Sequence, residues 1–316
     1  MVPYNPNWII EYEFEAKKLK EIFGKELLHI YHIGSTSIPG MVAKPIIDIL
    51  VEVQDIGNVD SFNKIMMKFG YLPRGENGIS GRRYFQKESH SKRTHHVHIY
   101  QAGAKEISQH LVFRDYLIEF KKEAEKYKNL KLEILQSSTE VCMYQQLKAE
   151  LITNLTANAI RWASKNRKTS VMGYIVRENS EGENELLTLS FPSTINYPYL
   201  RVPGGGVEDH EQLMEALYRE IKEETGLTDF TLIRKIGVIR YYKPFIKRMV
   251  ERHDFLLSVP PTTASNWTHK VSGEDKDAGL IFEYKWIKSD DFPIVDGELR
   301  TFLSLKHIPE LFKNKG

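Results

Sequence analysis

The stretch RVPGGGVEDHEQLMEALYREIKEETGL, Arg201 to Leu227, decides how this chain is read. Gly204, Gly205 and Gly206 permit a backbone turn close to a metal or ligand, where a side chain would fill the space. After them Leu213, Ala216, Leu217 and Ile221 recur at helical spacing and form a stripe for burial. Gly226 is placed to end that helix in a left-handed conformation, with Leu227 returning to the core. Between Pro203 and Leu227 stand seven acidic and two basic side chains, a local charge of −5 in a chain whose formal charge is +2. Glu220 and Glu224 are four residues apart and Glu223 lies between them, so a helix brings all three carboxylates to one edge. A divalent cation relieves their repulsion. Magnesium is the first choice, as a hard ion that takes carboxylate and water oxygen and often binds through substrate phosphates, with manganese as the alternative.

The spacing is glycine, five residues, glutamate, seven residues, then Arg-Glu-aliphatic-any-Glu-Glu-any-Gly-aliphatic, filled here by Gly205, Glu211 and Arg219 to Leu227. It is similar to the complete Nudix box, and the resemblance to Nudix hydrolases extends over about Thr169 to Leu311. The resemblance implies a Nudix α/β/α sandwich with a mixed sheet. It also implies hydrolysis of a nucleoside diphosphate linked to another moiety, by attack of water on phosphorus. Carried over by position, Glu220, Glu223 and Glu224 are metal-binding carboxylates, with the Gly204 carbonyl as a further ligand. Arg219 orients these acids, and Glu211 is the supporting or base-like glutamate. Glu274 and Glu283 are candidates for an additional acid, and Tyr241, Tyr242 and Arg252 for a base or ribose pocket, although strand aromatics more often serve a core.

Before this stretch the chain reads SVMGYIV from Ser170, a polar turn over Glu178 to Asn184, and ELLTLSF, a strand, turn and strand. Upstream, Val141, Tyr144, Leu147, Leu151, Leu155 and Ala159 predict a helix over about Ser138 to Trp162, which runs out in SKNRK. The boundary is therefore expected near Asn166 to Lys168, giving domains 1–168 and 169–316. In the first domain a helix is expected around Ile10 to Phe23, strands at LLHIYHI, KPIIDILVEV and THHVHIY, and helices near Val59 to Phe69 and His110 to Tyr127. Such interleaving indicates an α/β fold.

Strand alternation sets Asp48, Leu50 and Glu52 on one face. His96 and His98 alternate on THHVHIY; they either complete a carboxylate and imidazole metal site with Asp48, of a kind suited to zinc, manganese or iron, or serve as hydrogen-bonded residues or phosphate contacts. Gly34 and Ser35 could shape a phosphate-contacting turn, and Lys44, Arg82, Arg83, Arg114 and Lys148 are candidate anion contacts that would otherwise form surface ion pairs. The segments YNPNW, GSTSIPG, AKPIID, HHVHIY and FRDYL resemble the GrpB family of the nucleotidyltransferase superfamily over roughly residues 1 to 165. That superfamily places a Gly-Ser turn before a strand with two metal-binding acids at alternating positions. Gly34, Ser35 and Asp48 match, the second acid is replaced by Leu50, and Glu52 lies one strand repeat farther on. The expectation is a nucleotidyltransferase-like α/β domain that binds a phosphate ligand and transfers nucleotides poorly or not at all.

Composition bounds the remaining classes. At 316 residues, two domains are the starting expectation. With 41% hydrophobic and 27% charged residues the chain can form ordinary cores, and 44 basic against 42 acidic residues leave no electrostatic footprint for nucleic acid. Cys142 is the single cysteine, which forbids an intrachain disulfide and suits a small core thiol. No apolar run reaches the roughly 18 residues of a membrane span. A cytoplasmic location, no membrane partner, and a nucleoside diphosphate derivative or related phosphate ligand as the partner are expected.

Overall fold

The structure, a computed structural model, describes all residues except 90–91, 137–140, 196, 274–276 and 313–316, and the side chains of 134–148 also lie outside the description. Backbone contacts divide the chain into two units, Met1–Asn166 with Tyr241–Met249, and Arg167–Arg240 with Val250–Gly316.

The first unit runs α1 (Asn7–Phe23), β1 (Leu27–Ile33), β2 (Ile47–Val53), α2 (Asn63–Lys68), β3 (Tyr71–Pro73), β4 (Arg82–Ser89), β5 (Lys92–Gln101), α3 (Lys105–Glu119), α4 (Lys121–Gln136) and α5 (Val141–Ser164). Its sheet has the order β1-β2-β5-β4-β3, parallel between β2 and β5 and antiparallel elsewhere. β2 is covered on both faces, which explains its near-continuous apolar run. Ile47, Ile49 and Val51 pack with Leu19, Ile22 and Phe23 of α1, while Leu50 packs with Leu111, Val112 and Tyr116 of α3 and Leu155 and Ala159 of α5.

The helix expected over His110 to Tyr127 is two helices, α3 and α4, because Phe120 leaves helical geometry (φ −103°, ψ 84°) and packs on Tyr116 and Trp162. The Val59 to Phe69 segment is a 3₁₀ stretch, Ile56–Phe62, continued by α2. Tyr242 is buried in the core of this unit, where its hydroxyl donates to Asp115 (3.0 Å) and its amide to Ser108 (2.9 Å). It is therefore a core residue and no part of a base pocket. Division at Asn166 to Lys168 has no place for the returning segment 241–249, since nothing in its local pattern marks the core it enters.

The second unit runs β6 (Lys168–Glu178), β7 (Asn184–Ser190), α6 (Leu213–Thr225), β8 (Thr231–Lys243), β9 (Arg248–Ser258), β10 (Asn266–Lys270) and β11 (Ile281–Ile287), with the end of β8 and the start of β9 counted in the first unit. Its sheet has the order β10-β11-β7-β6-β9-β8 and is mixed, since β6 and β9 pair in parallel from Lys168 opposite Val250 to Val176 opposite Ser258. One face packs on α6 through Ala216, Leu217 and Ile221. The other is covered by Phe292, Val295, Leu299, Ile308 and Leu311, most of them on short 3₁₀ helices after β11. Arg252 is 1% exposed and spends its guanidinium on Asp254 (two contacts of 2.9 Å) and the Glu298 carbonyl, an internal ion pair rather than a ribose contact. Among the described residues no helix is long and apolar enough to cross a membrane.

Candidate active site

Helix α6 starts with reciprocal capping between Gln212 and Glu215 and ends at Gly226 in the left-handed conformation. Its apolar stripe fixes the rotation, so Glu220 and Glu224 fall at the margin of the core, 4% and 7% exposed, with Glu223 farther out. The last turn is also held from the strands: Trp267 donates to the Thr225 carbonyl (2.9 Å), Tyr284 to that of Glu224 (2.7 Å), and the Ser272 amide to that of Glu223 (3.0 Å). Carbonyls that a helix end leaves unpaired are thereby satisfied.

Arg219 gathers the acids. Its Nε and Nη2 donate to the two carboxylate oxygens of Glu211 (2.8 and 2.9 Å), Nη1 to Glu220 (2.9 Å) and Glu223 (3.1 Å), and Nη2 also to the Gly206 carbonyl (2.8 Å). These bonds raise the Arg219 pKa, while the guanidinium holds the Glu211 carboxyl below its ordinary value. Glu224 is turned away and accepts from the Gly204 amide (2.8 Å). Burial, with Glu220 and Asp277 adding like charge, pushes its pKa up to about 8 against the pull of that amide and of Arg201. One guanidinium thus serves three carboxylates, and the pull of Arg201 on Glu224 does not offset its burial, which leaves the set short of positive charge. An all-oxygen set with that deficit fits a hard divalent cation.

The glycines are not equivalent. A Cβ on Gly205 would stand 2.4 Å from a Glu220 carboxylate oxygen and would push that acid out of its place beside Arg219, and one on Gly204 would stand 2.2 Å from the Val171 carbonyl oxygen. A Cβ on Gly206 would meet open space, and what Gly206 contributes is the carbonyl that Arg219 uses. Arg201, Asp277, Trp267 and Tyr284 belong to this surround but carry no signal in the box, since each arrives from another strand or loop. Glu283 sits exposed on β11. Glu274, Lys148 and Cys142 lie outside the described residues or side chains.

The first unit presents a second cluster. Parallel pairing sets Asp48 opposite His96 and Leu50 opposite His98. His96 Nδ1 lies 3.1 Å and His98 Nε2 3.7 Å from the same oxygen of Asp48, and the two imidazoles hold that carboxyl down at about 2 although burial works the other way. Gly34, at φ +71°, comes so close that a Cβ would stand 2.4 Å from the other Asp48 oxygen. Ser35 accepts from Lys131 (2.6 Å). Gly34, Ser35, Lys44, Asp48, His96 and Lys131 are among the residues lining a cavity of about 320 Å³. Glu52 takes no part, since it is buried against His29 (3.3 Å) and the Gly103 amide. Of the other basic candidates, Arg83 is engaged with Asp60, and Arg114 with Asp115 and the His32 carbonyl.

Comparison with known proteins finds a different family in each half of the chain. The family profile described as GrpB protein matches residues 1–158, and that described as NUDIX domain matches residues 166–305. UPF0157 protein YqkA of Bacillus subtilis is 46% identical over 58% of this chain; the chain spans about half of that relative (53%). The crystal structure of conserved protein GrpB from Enterococcus faecalis has 41% identity, covering 51% of this chain and 97% of that one at a TM-score of 0.48. A NUDIX hydrolase from Nitrosomonas europaea has 20% identity, covering 48% of this chain and 91% of that one at a TM-score of 0.33. With one profile on each side of the division, this chain belongs to the GrpB family through its N-terminal domain and carries a Nudix-type hydrolase domain behind it.

Proposed function

We propose that the second domain hydrolyses a nucleoside diphosphate linked to another moiety in a magnesium-dependent reaction, with manganese as a substitute ion. The observation that carries this proposal is the grip of Arg219 on Glu211, Glu220 and Glu223 while the Gly204 amide holds Glu224 apart. Glu220, Glu223 and Glu224, with the Gly204 carbonyl, are the residues that would hold the ion. When bound, the ion supplies positive charge that polarises a phosphate and acidifies water.

The chain's own groups prepare the site for it. Arg219 fixes the carboxylates before substrate arrives, and prefixed charges act without reorganisation during the reaction. Glu211 has both oxygens engaged by Arg219 and the Glu208 amide, which suits a positioning role better than that of a base. Gly205 lets the loop approach Glu220, and Gly205 and Gly206 present backbone to the phosphates. The work of such an enzyme is cytoplasmic, where nucleotides are made and used.

The first domain, in the same proposal, binds a phosphate-bearing ligand at Gly34 and Ser35 beside Asp48. Nucleotide transfer centred on Asp48 is disfavoured because Leu50 is wholly buried in the apolar core and Glu52 is committed to His29. The decisive experiment assays nucleoside triphosphates, nucleotide sugars, dinucleoside polyphosphates and coenzyme diphosphates with and without Mg²⁺, using the parent and Glu224→Gln. At least one substrate is expected to be cleaved only with metal, and the variant should lose about 100-fold or more in turnover while melting as the parent does. Unchanged turnover in the folded variant sinks the proposal.

A further inference from the structure

We propose that Asp48, His96 and His98 of the first domain form a binding site for a divalent transition metal, open toward the adjoining cavity and completed there by an anionic ligand. Each residue offers one donor atom, and the three lie within 4.8 Å of one another, the only such group among the described residues. The separations from the Asp48 oxygen are 3.1 and 3.7 Å. Metal bonds of roughly 2.0–2.2 Å at tetrahedral angles need donors about 3.3–3.6 Å apart, so both imidazoles stand near coordinating distance of the Asp48 oxygen.

Sheet register is what builds the site. A nucleotidyltransferase-like strand would carry its second acid at position 50, and here His98 of β5 stands directly opposite that position, with His96 opposite Asp48. Two imidazoles and one carboxylate replace two carboxylates, which moves the preference from magnesium toward zinc, cobalt, manganese or iron. His96 faces Asp48 through Nδ1, while its Nε2 is buried without a hydrogen-bond partner, so Nδ1 is the nitrogen at hand for an ion. Arg82 lies 3.4 Å from Nδ1 of His98 but is anchored independently by the carbonyls of Glu76 and Asn77, so ligation through Nε2 of His98 sacrifices only that long contact.

The open side is cationic. Among the described residues Asp48 is the one carboxylate lining the cavity, whereas Lys44 and Lys131 both reach it, and a divalent ion leaves a net positive site. Three protein donors leave coordination positions for a ligand oxygen. The anion expected there is a phosphate or carboxylate, whose charge the lysines and the metal share. This site is independent of the Nudix-box glutamates, and its failure would leave the hydrolysis proposal untouched.

The test uses the full chain with Glu223→Gln and Glu224→Gln, which removes two of the Nudix-box carboxylates, titrated with Co²⁺ in metal-free buffer. Calorimetry should show one bound equivalent and the visible spectrum a Co²⁺ ligand-field band that Zn²⁺ displaces. His96→Gln and His98→Gln, added singly, should each weaken Co²⁺ binding at least about 100-fold and abolish the band, with melting followed in parallel. X-ray absorption on the zinc-loaded chain should report two imidazoles, a readout that needs no further variant. Inorganic phosphate should perturb the Co²⁺ band only while Lys44 and Lys131 are present. Co²⁺ binding unaffected by both histidine changes, absence of binding, or a zinc site without imidazole would each overturn the proposal.

Discussion

Arg219 closes a two-pronged ion pair on Glu211, eight residues earlier in the chain, with Nε and Nη2 meeting separate carboxylate oxygens at 2.8 and 2.9 Å. The remaining nitrogen of the fork, Nη1, serves Glu220 and Glu223. Glu211 therefore sets the direction in which Arg219 presents itself to the proposed metal ligands. Lysine keeps the charge and loses the planar fork. Arg219→Lys and Glu211→Ala are each expected to lower kcat/KM by about 10- to 100-fold, and the double variant no further than the worse single one. A double-mutant cycle on the hydrolysis assay checks this, and losses that multiply independently would refute the coupling.

The loop before α6 separates two adjacent glycines by their surroundings. Gly205→Ala forces a methyl onto the Glu220 carboxylate and should cost about 1–3 kcal/mol of stability along with most of the activity. Gly206→Ala points its methyl into open space and should melt within a degree or two of the parent. Calorimetric melting of both variants decides it. Equal destabilisation would mean that the loop does not lie against Glu220.

In the first domain Glu15 is buried on α1, where it accepts from Tyr71 (2.7 Å) and pairs with Lys87. Burial raises its pKa, but the bonds from Lys87 and Tyr71 outweigh that and hold it below the ordinary value of 4.5. A depressed carboxyl stabilises the fold fully above that ordinary value and loses its contribution as pH falls below 4.5 toward the folded value. Glu15→Gln leaves Lys87 without its carboxylate and should cost about 3–5 kcal/mol at pH 7, a difference that narrows in acid. Urea unfolding of parent and variant from pH 7 to 3 provides the measurement, and a pH-independent difference would contradict the assignment.

Tyr242 belongs, with the segment 241–249, to the first unit, and its hydroxyl reaches the buried Asp115. Removing that hydroxyl by Tyr242→Phe takes one donor from a carboxylate that Arg114 also holds, for an expected loss of about 1–2 kcal/mol. Fragment 1–168 lacks the whole segment and should melt below the first transition of the full chain. Identical melting of fragment and full chain would show that 241–249 adds nothing to this unit.

Local pattern carried much of the architecture. The periodic leucines and alanines around Leu155 and Ala159 marked α5, and the alternating runs at Leu27 and Ile47 marked β1 and β2. β4 shows no apolar alternation in the sequence, because RRYFQKES buries an arginine and a glutamine among its aromatics. The break at Phe120 leaves no mark in the sequence, because residues on both sides are good helix formers and Phe120 leaves the helix where it packs on Trp162.

The sequence by itself determined the carboxylate edge of α6, the glycine turn before that helix, and the absence of a second acid beside Asp48. Each is a matter of spacing within one element, and helix or strand geometry converts spacing into position. Only the tertiary structure decided which nitrogen of Arg219 meets which acid, that Arg201 and Asp277 act on Glu224, and that 241–249 joins the first unit. It also decided that His96 and His98 face Asp48, because the register between β2 and β5 is set by burial on both faces of the sheet and by residues far apart in the chain.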